Sequence, residues 1–158
     1  MGDAFLIWEQ AYAVGHRGLD GEHRRLVDLI NEISGAAAVQ LSNLSTALYF
    51  ASVEHFRHEN SVMRDIIGGA YLLADGRMRD LAAINEAAVN DHCAEHARAL
   101  IELERLLQTS TAAGEWHGRR LASELRTWFI DHAINHDAHL KAVFQGREEL
   151  IRPSPTAL

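Results

Sequence analysis

Histidines and carboxylates recur inside the apolar stripes of four helical segments of this 158-residue chain. In the second segment, His55 and Glu59 fall among apolar residues, although burying an ionised carboxylate costs several kcal/mol unless it is paired or bound to a metal. These two residues are four positions apart, as are His92 and His96, so each pair lies one turn apart on one helix face. We therefore expect the chain to fold so that the four stripes meet around a cation.

The candidate metal ligands are five imidazoles and two carboxylates, spread over the four segments. Imidazole-rich sites with two carboxylates suit iron, and this many ligands indicates two ions rather than one. The seven residues are His23, His55, Glu59, His92, His96, His132 and Asp137. The interpretation depends on whether these side chains meet inside one bundle.

Helical periodicity is strong along the chain, whereas the alternation typical of strands is nearly absent. The only prolines, Pro153 and Pro155, lie beyond the helical segments. We expect one domain of the all-α class, an antiparallel up-down four-helix bundle over residues 20–149, with an irregular N-terminal arm at 1–19 and a tail at 150–158. The four helices are predicted over about 20–40, 43–67, 77–108 and 115–149.

Charge and composition narrow the function classes. A formal net charge of -7 argues against a nucleic-acid partner, because such proteins concentrate Lys and Arg on one surface. No apolar run is long enough to span a bilayer, and Asp3 and Glu9 stand where a signal peptide would be positively charged. The single cysteine, Cys93, cannot form an internal disulfide, which fits a reducing compartment. We expect a cytoplasmic protein without membrane insertion.

The residues at these positions resemble a known family, the hemerythrins, in their single-domain bacterial form. The resemblance runs from Trp8 to Leu140, nearly the whole chain. It is carried by Val14-Gly15, Leu19-Asp20-Gly21-Glu22-His23, Leu26, His55-Phe56, His58-Glu59, Met63, His92, His96, Trp128, His132 and Asp137. It implies a non-heme di-iron site that binds O2 reversibly, with a counterpart here for each of the seven family ligands.

The resemblance also assigns the five histidines to two iron ions. One iron would be ligated by His92, His96 and His132, and the other by His23 and His55. Because the second iron has fewer protein ligands, it would keep an open position, where O2 would bind. An apolar wall should keep water and protons away from the bound O2 and so slow autoxidation.

The two carboxylates, Glu59 and Asp137, would bridge both irons beside an oxo or hydroxo group. The spacing from His132 to Asp137 is unusual, because five residues place two helical side chains roughly 140° apart. Spacing alone would select His136, which lies near the same face as His132. The family pattern favours Asp137, and a π-helical turn would bring it back toward the site.

Two features depart from the family pattern. Relatives commonly have a second Glu directly after the bridging one, whereas this chain has Asn60. We expect Asn60 to point elsewhere, to alter only the surroundings of the ligands or the surface charge, and to leave the ligand set unaffected. The interval from Glu59 to His92 is longer than in typical relatives, and the usual Tyr-Pro between them is missing. We predict that residues 68–90 lengthen helices or form a lid that reshapes access to the site or a protein contact.

Three function classes fit these residues. The leading one is O2 binding for carriage, storage or delivery, and the others are an O2 or redox sensor acting through an unidentified protein partner, and a di-iron enzyme that handles peroxide or nitric oxide. Ferritin-like sites use a Glu-x-x-His motif, which does not occur in this sequence. Structural zinc needs only four ligands and would leave several buried polar groups without a purpose.

Overall fold

The apolar stripes lie on helices that pack side by side in the computed structural model, which describes residues 4–67, 72–73, 86–112, 118–144 and 150–151. The helices are α1 (Arg17–Gly35), α2 (Ala38–Ile67), α3 (Glu86–Ala112), α4 (Gly118–Asp131) and α5 (Ala138–Phe144). A 3-10 turn covers Gln10–Tyr12, and a π-helical turn over His132–His136 joins α4 to α5. Two short strands, β1 (Leu72–Leu73) and β2 (Leu150–Ile151), pair in antiparallel register.

The packing order of the helices defines a four-helix bundle. Helix α1 packs against α2 and α4, and α3 packs against α2 and α4, so each helix has two neighbours. Only two residues link α1 to α2, which makes these helices antiparallel. The predicted all-α bundle is therefore confirmed. Among the described residues, no helix is long and apolar enough to cross a membrane.

The helix boundaries differ from the predicted ones at several ends. Helix α1 begins at Arg17, three residues early, because the His16 ring accepts a hydrogen bond from the Leu19 amide and caps the helix. Helix α2 begins at Ala38, and α3 extends to Ala112. The predicted helical residues 77–85, 115–117 and 145–149 lie outside the described residues, as does most of the 68–90 segment and of the tail.

The N-terminal arm is fixed to the bundle by three sets of contacts. Leu6 and Asn31 exchange two hydrogen bonds, at 2.7 and 2.9 Å. The Asp20 carboxylate accepts hydrogen bonds from the amides of Val14 and Gly15, whose φ of 89° is a conformation that favours glycine. Tyr12 is buried, with its ring edge-on against Phe129 in α4. The arm therefore presents its backbone to the interior of the bundle.

A polar layer divides the apolar core into two clusters. Along α2, Leu48 and Phe56 belong to the larger cluster and Met63 and Ile66 to the smaller one, with Glu59 between them. The same division recurs in α1 and across α4 and α5. Apolar residues therefore enclose the polar layer on both sides, which lowers its access to water.

Gly118, the first residue of α4, is predicted to be essential for close packing against α1. A Cβ atom at this position would lie 2.1 Å from the backbone oxygen of Ile33, so a Gly118→Ala substitution forces the helices apart. We expect it to lower the free energy of unfolding by about 1–3 kcal/mol in urea titrations of the metal-free protein. The control is Gly21→Ala in α1, where a Cβ atom meets nothing within 4 Å and should stabilise the helix slightly. Equal effects of the two substitutions would contradict this packing.

Candidate metal centre

All seven predicted ligands lie in the polar layer at the centre of the bundle. Each is between 0% and 2% exposed. Two groups of these side chains offer ligand atoms within 4.8 Å of one another: the first is His23, His55 and His132, and the second is Glu59, His96, His132 and Asp137. His132 belongs to both groups, so six of the seven residues form one continuous cluster, and His92 joins it with its Nε2 atom 3.5 Å from Glu59.

Glu59 occupies the middle of this cluster and faces four imidazoles. Its Oε2 atom lies 3.3 Å from Nε2 of His55, 3.3 Å from Nε2 of His96 and 3.7 Å from Nε2 of His132. Its Oε1 atom lies 3.5 Å from Nε2 of His92. One carboxylate thus contacts histidines from three helical stretches of the bundle.

The π-helical turn directs Asp137 into the same cluster. The Asp137 amide donates to the carbonyl of His132, five residues earlier, so the turn contains one more residue than an α-helical turn. As a result the Asp137 carboxylate lies 3.3 Å from Nε2 of His23 and 3.4 Å from Nε2 of His132. His136 points outward, with a side chain 31% exposed and Nε2 3.4 Å from Asp131. The structure therefore places the side chain of Asp137 in the cluster and that of His136 outside it.

Several buried atoms of the cluster have no hydrogen-bond partner within the described residues. They include both carboxylate oxygens of Glu59 and of Asp137, and Nε2 of His96 and of His132. The separations of 3.3–3.7 Å around Glu59 are long for hydrogen bonds. Ionised carboxylates that are buried without hydrogen-bond donors require positive charge nearby. Bound cations would supply it, and imidazole with carboxylate oxygen is a donor set that suits iron.

The pair of histidines on α1 and α2, His23 and His55, gives a second indication of a cation. Nε2 of His23 and Nε2 of His55 are 3.0 Å apart. Each of these rings has an acceptor oxygen at Nδ1, so in their neutral forms both Nε2 atoms carry lone pairs that face each other. Metal–nitrogen bonds of about 2.1 Å at right angles would place two nitrogens roughly 3 Å apart. The pair is therefore spaced for a shared cation.

Hydrogen bonds on the outer side of the rings fix which nitrogen faces the centre. Nδ1 of His23 donates to the Tyr12 carbonyl at 2.8 Å, and Nδ1 of His55 donates to the Glu22 carboxylate at 3.0 Å. Burial opposes protonation of His92, but the backbone of His136 interacts with its ring and raises its pKa. An Nδ1 atom that donates outward leaves Nε2 with a free lone pair that can bind a metal. This tautomer follows from the acceptors that surround each ring.

The expectation for Asn60 is wrong in one respect. Its side chain does not point away from the ligand set, because its Oδ1 atom accepts a hydrogen bond from Nδ1 of His96 at 2.9 Å. Asn60 follows Glu59 directly and so lies about 100° further round α2, on the side that faces α3. Helical position could therefore have identified this contact, as it could for Glu22, the residue before His23. The carbonyl of Tyr12 depends on the path of the arm and has no sequence signal.

Burial and mutual contacts set the charges of the metal-free cluster. Burial opposes ionisation of Glu59, but the four imidazoles around it hold its pKa well below the usual value. Burial also opposes protonation of His55, yet the adjacent Glu22 and Glu59 carboxylates raise its pKa to about 9. Burial lowers the pKa of His96 to about 4, although Glu59 acts in the opposite direction. A proton on His55 thus partly compensates the Glu59 charge where a cation would lie.

Comparison with known proteins agrees with this geometry. The family model described as the hemerythrin HHE cation binding domain matches residues 14–143, which include all seven clustered side chains. Two proteins named bacteriohemerythrin, from Pseudomonas aeruginosa and Pseudomonas paraeruginosa, are each 25% identical to this chain over 154 residues. The alignments cover 94% of this chain and 88% of each relative. Because the family model matches most of its length, this chain belongs to the hemerythrin family and carries its cation-binding domain.

Proposed function

We propose that this protein binds O2 reversibly at a non-heme di-iron centre, for carriage, storage or delivery of O2. The observation that carries the proposal is the pair of buried carboxylates, Glu59 and Asp137, whose oxygens have no hydrogen-bond partner within the described residues. Five imidazoles surround them. Membership of the hemerythrin family supports iron as the cation, and the relatives named bacteriohemerythrin support the link to O2.

The histidines divide into two sets that would each hold one iron. The three-histidine set is His92, His96 and His132, and the two-histidine set is His23 and His55. Glu59 Oε2 lies 3.3 Å from His55 and 3.3 Å from His96, one member of each set. Asp137 likewise lies between one histidine of each set. This arrangement supports bridging roles for both carboxylates, and the two-histidine iron would keep the open position for O2.

The chain's own residues would make binding reversible. When bound, two ferrous ions would lend electrons to O2 and recover them on its release. Phe129 lies edge-on against His23, with ring centroids 5.7 Å apart, and Phe56 lies against His55 at 5.5 Å. These fully or nearly fully buried rings exclude water beside the two-histidine set, which limits proton transfer and irreversible oxidation.

A second function, catalysis on peroxide or nitric oxide, is favoured by one observation. Glu22 accepts hydrogen bonds from Nδ1 of His55 at 3.0 Å and from Nδ1 of His58 at 2.7 Å. The His58 side chain is 40% exposed, so these hydrogen bonds connect solvent to a buried candidate ligand. A connection of this kind would supply protons, which a reversible carrier excludes. Rapid turnover that slows in a His58→Phe variant would favour an enzyme over a carrier.

Anaerobic reconstitution with iron tests the leading function. We expect two irons per chain and a visible absorption band that appears with O2 and disappears when O2 is removed, measured with metal counting on the same sample. The reason is that both carboxylates contact both histidine sets. Fewer than two irons, or immediate oxidation that is not reversed, would contradict reversible O2 binding at a di-iron centre.

Substitution of Asp137 tests whether Asp137 or its neighbour His136 is the metal ligand. We expect Asp137→Ala to bind fewer than two irons and to lose reversible O2 binding, because the carboxylate between His23 and His132 is removed. His136→Ala is the matched control: its side chain points outward and the substitution keeps the backbone that interacts with His92. Circular dichroism should show equal helix content in both. An Asp137→Ala protein with two irons and normal O2 binding would exclude Asp137 as a ligand.

The raised pKa of His55 predicts different pH dependences for the metal-free and metal-loaded protein. Its pKa rises from 6.5 to about 9 on folding, so its contribution to stability is full below pH 6.5 and is lost as pH rises through 9. Cobalt(II) must displace this proton, so its affinity should rise by about tenfold per pH unit from 7 to 9. Between pH 7 and 9, thermal unfolding should shift downward without cobalt and stay nearly constant with saturating cobalt, because the gain in affinity offsets the lost contribution of the proton. An equal downward shift with and without cobalt would show that His55 does not exchange its proton for the metal.

A further inference from the structure

Asn60 makes the contact between α2 and α3 that lies directly behind a candidate ligand. Its Oδ1 atom is 2.9 Å from Nδ1 of His96 and 3.2 Å from Sγ of Cys93, so one amide oxygen accepts from two groups on α3. Arg64 donates to the same sulfur at 3.8 Å, which leaves the thiol proton directed at Asn60. The two donors fix the amide with its oxygen, rather than its NH2 group, toward His96.

The orientation of this amide decides whether His96 can bind a metal. With the oxygen facing Nδ1, the ring must carry its proton there, and Nε2 keeps a lone pair on the side of Glu59, 3.3 Å away. With the NH2 group facing Nδ1, the proton would move to Nε2 and block coordination. Asn60 therefore holds His96 in the tautomer that can bind a metal.

The partner of His96 differs in charge from the partner of His55. Nδ1 of His55 donates to a carboxylate, Glu22, whereas Nδ1 of His96 donates to a neutral amide. A carboxylate draws the Nδ1 proton away from the ring and makes the imidazole a stronger electron donor to its metal, and an amide does so less. One histidine of each set, His55 and His96, thus donates to a side-chain acceptor of different strength.

We propose that Asn60 is a positioning residue that fixes the tautomer of His96 and, through its neutral amide, keeps the reduction potential of the metal at the three-histidine set higher than a carboxylate would. The effect on potential rests on the proposed di-iron centre, whereas the effect on tautomer does not. If Asn60 served only to hold α2 and α3 together, its substitution would change neither the tautomer of His96 nor the reduction potential of the metal.

The tautomer is measured first, by nitrogen NMR of the histidines in the metal-free protein. We expect His96 to be protonated at Nδ1 in the unsubstituted protein and in Asn60→Asp, which keeps an acceptor oxygen, and to lose this preference in Asn60→Leu. Cobalt(II) should bind about 10- to 100-fold more weakly to Asn60→Leu than to Asn60→Asp. If His96 keeps the same tautomer in all three proteins, the positioning role is wrong. Should Asn60→Leu fail to fold, a proton at Nε2 in Asn60→Asp or in the unsubstituted protein would overturn it equally.

The potential is measured by spectroelectrochemical titration of the iron-loaded protein. Asn60→Asp should shift the midpoint to lower potential, and the matched reverse change, Glu22→Gln behind His55, should shift it to higher potential. Shifts in the same direction, or none in either variant, would overturn the electronic role. Failure of the unsubstituted protein to bind two irons would instead count against the proposed function, and the tautomer measurement would still decide the role of Asn60.

Discussion

Two buried carboxylates that have no hydrogen-bond donor among the described residues are the constraint on which the rest of this bundle depends. Glu59 and Asp137 are each 0% exposed, and ionised carboxylates in such a place are unstable unless positive charge lies beside them. The helices bring imidazoles to these oxygens, and the apolar clusters on both sides keep water out. Protons supply part of the required charge in the metal-free protein. Cations would supply it more completely, so folding and metal binding are expected to be linked.

Structural elements outside the ligand set determine the orientation of the histidine rings. The N-terminal arm places the carbonyl of Tyr12 behind His23, because Leu6 and Asp20 attach the arm to α1 on either side. The π-helical turn directs Asp137 inward. It also brings the backbone of His136 to the ring of His92 on α3. His23 and His92 are thus each held by a feature that serves the fold as well. Rings held from behind lose little freedom when they bind a metal.

Much of the fold and of the candidate site could be predicted because helical periodicity records which side chains face the core. The stripes carrying His23, Glu59 and His96 predicted the bundle and the convergence of its polar residues. Periodicity failed at Asp137, where the extra residue of a π-helical turn breaks the spacing, and only the family pattern indicated the side chain that lies in the cluster. Periodicity also places Asn60 on the side of α2 that faces α3, so its contact with His96 could have been predicted from helical position. The predicted role of residues 68–90 stays a prediction, since that segment lies mostly outside the described residues.

Anomalous diffraction at the iron absorption edge, on crystals of the reconstituted protein, tests the central claim most directly. If Glu59 and Asp137 are held between two histidine sets in order to bind two cations, two iron peaks should appear in the polar layer. Both peaks should lie beside both carboxylates, one next to His55 and the other next to His96. A single peak, or iron bound away from Glu59, would contradict the account.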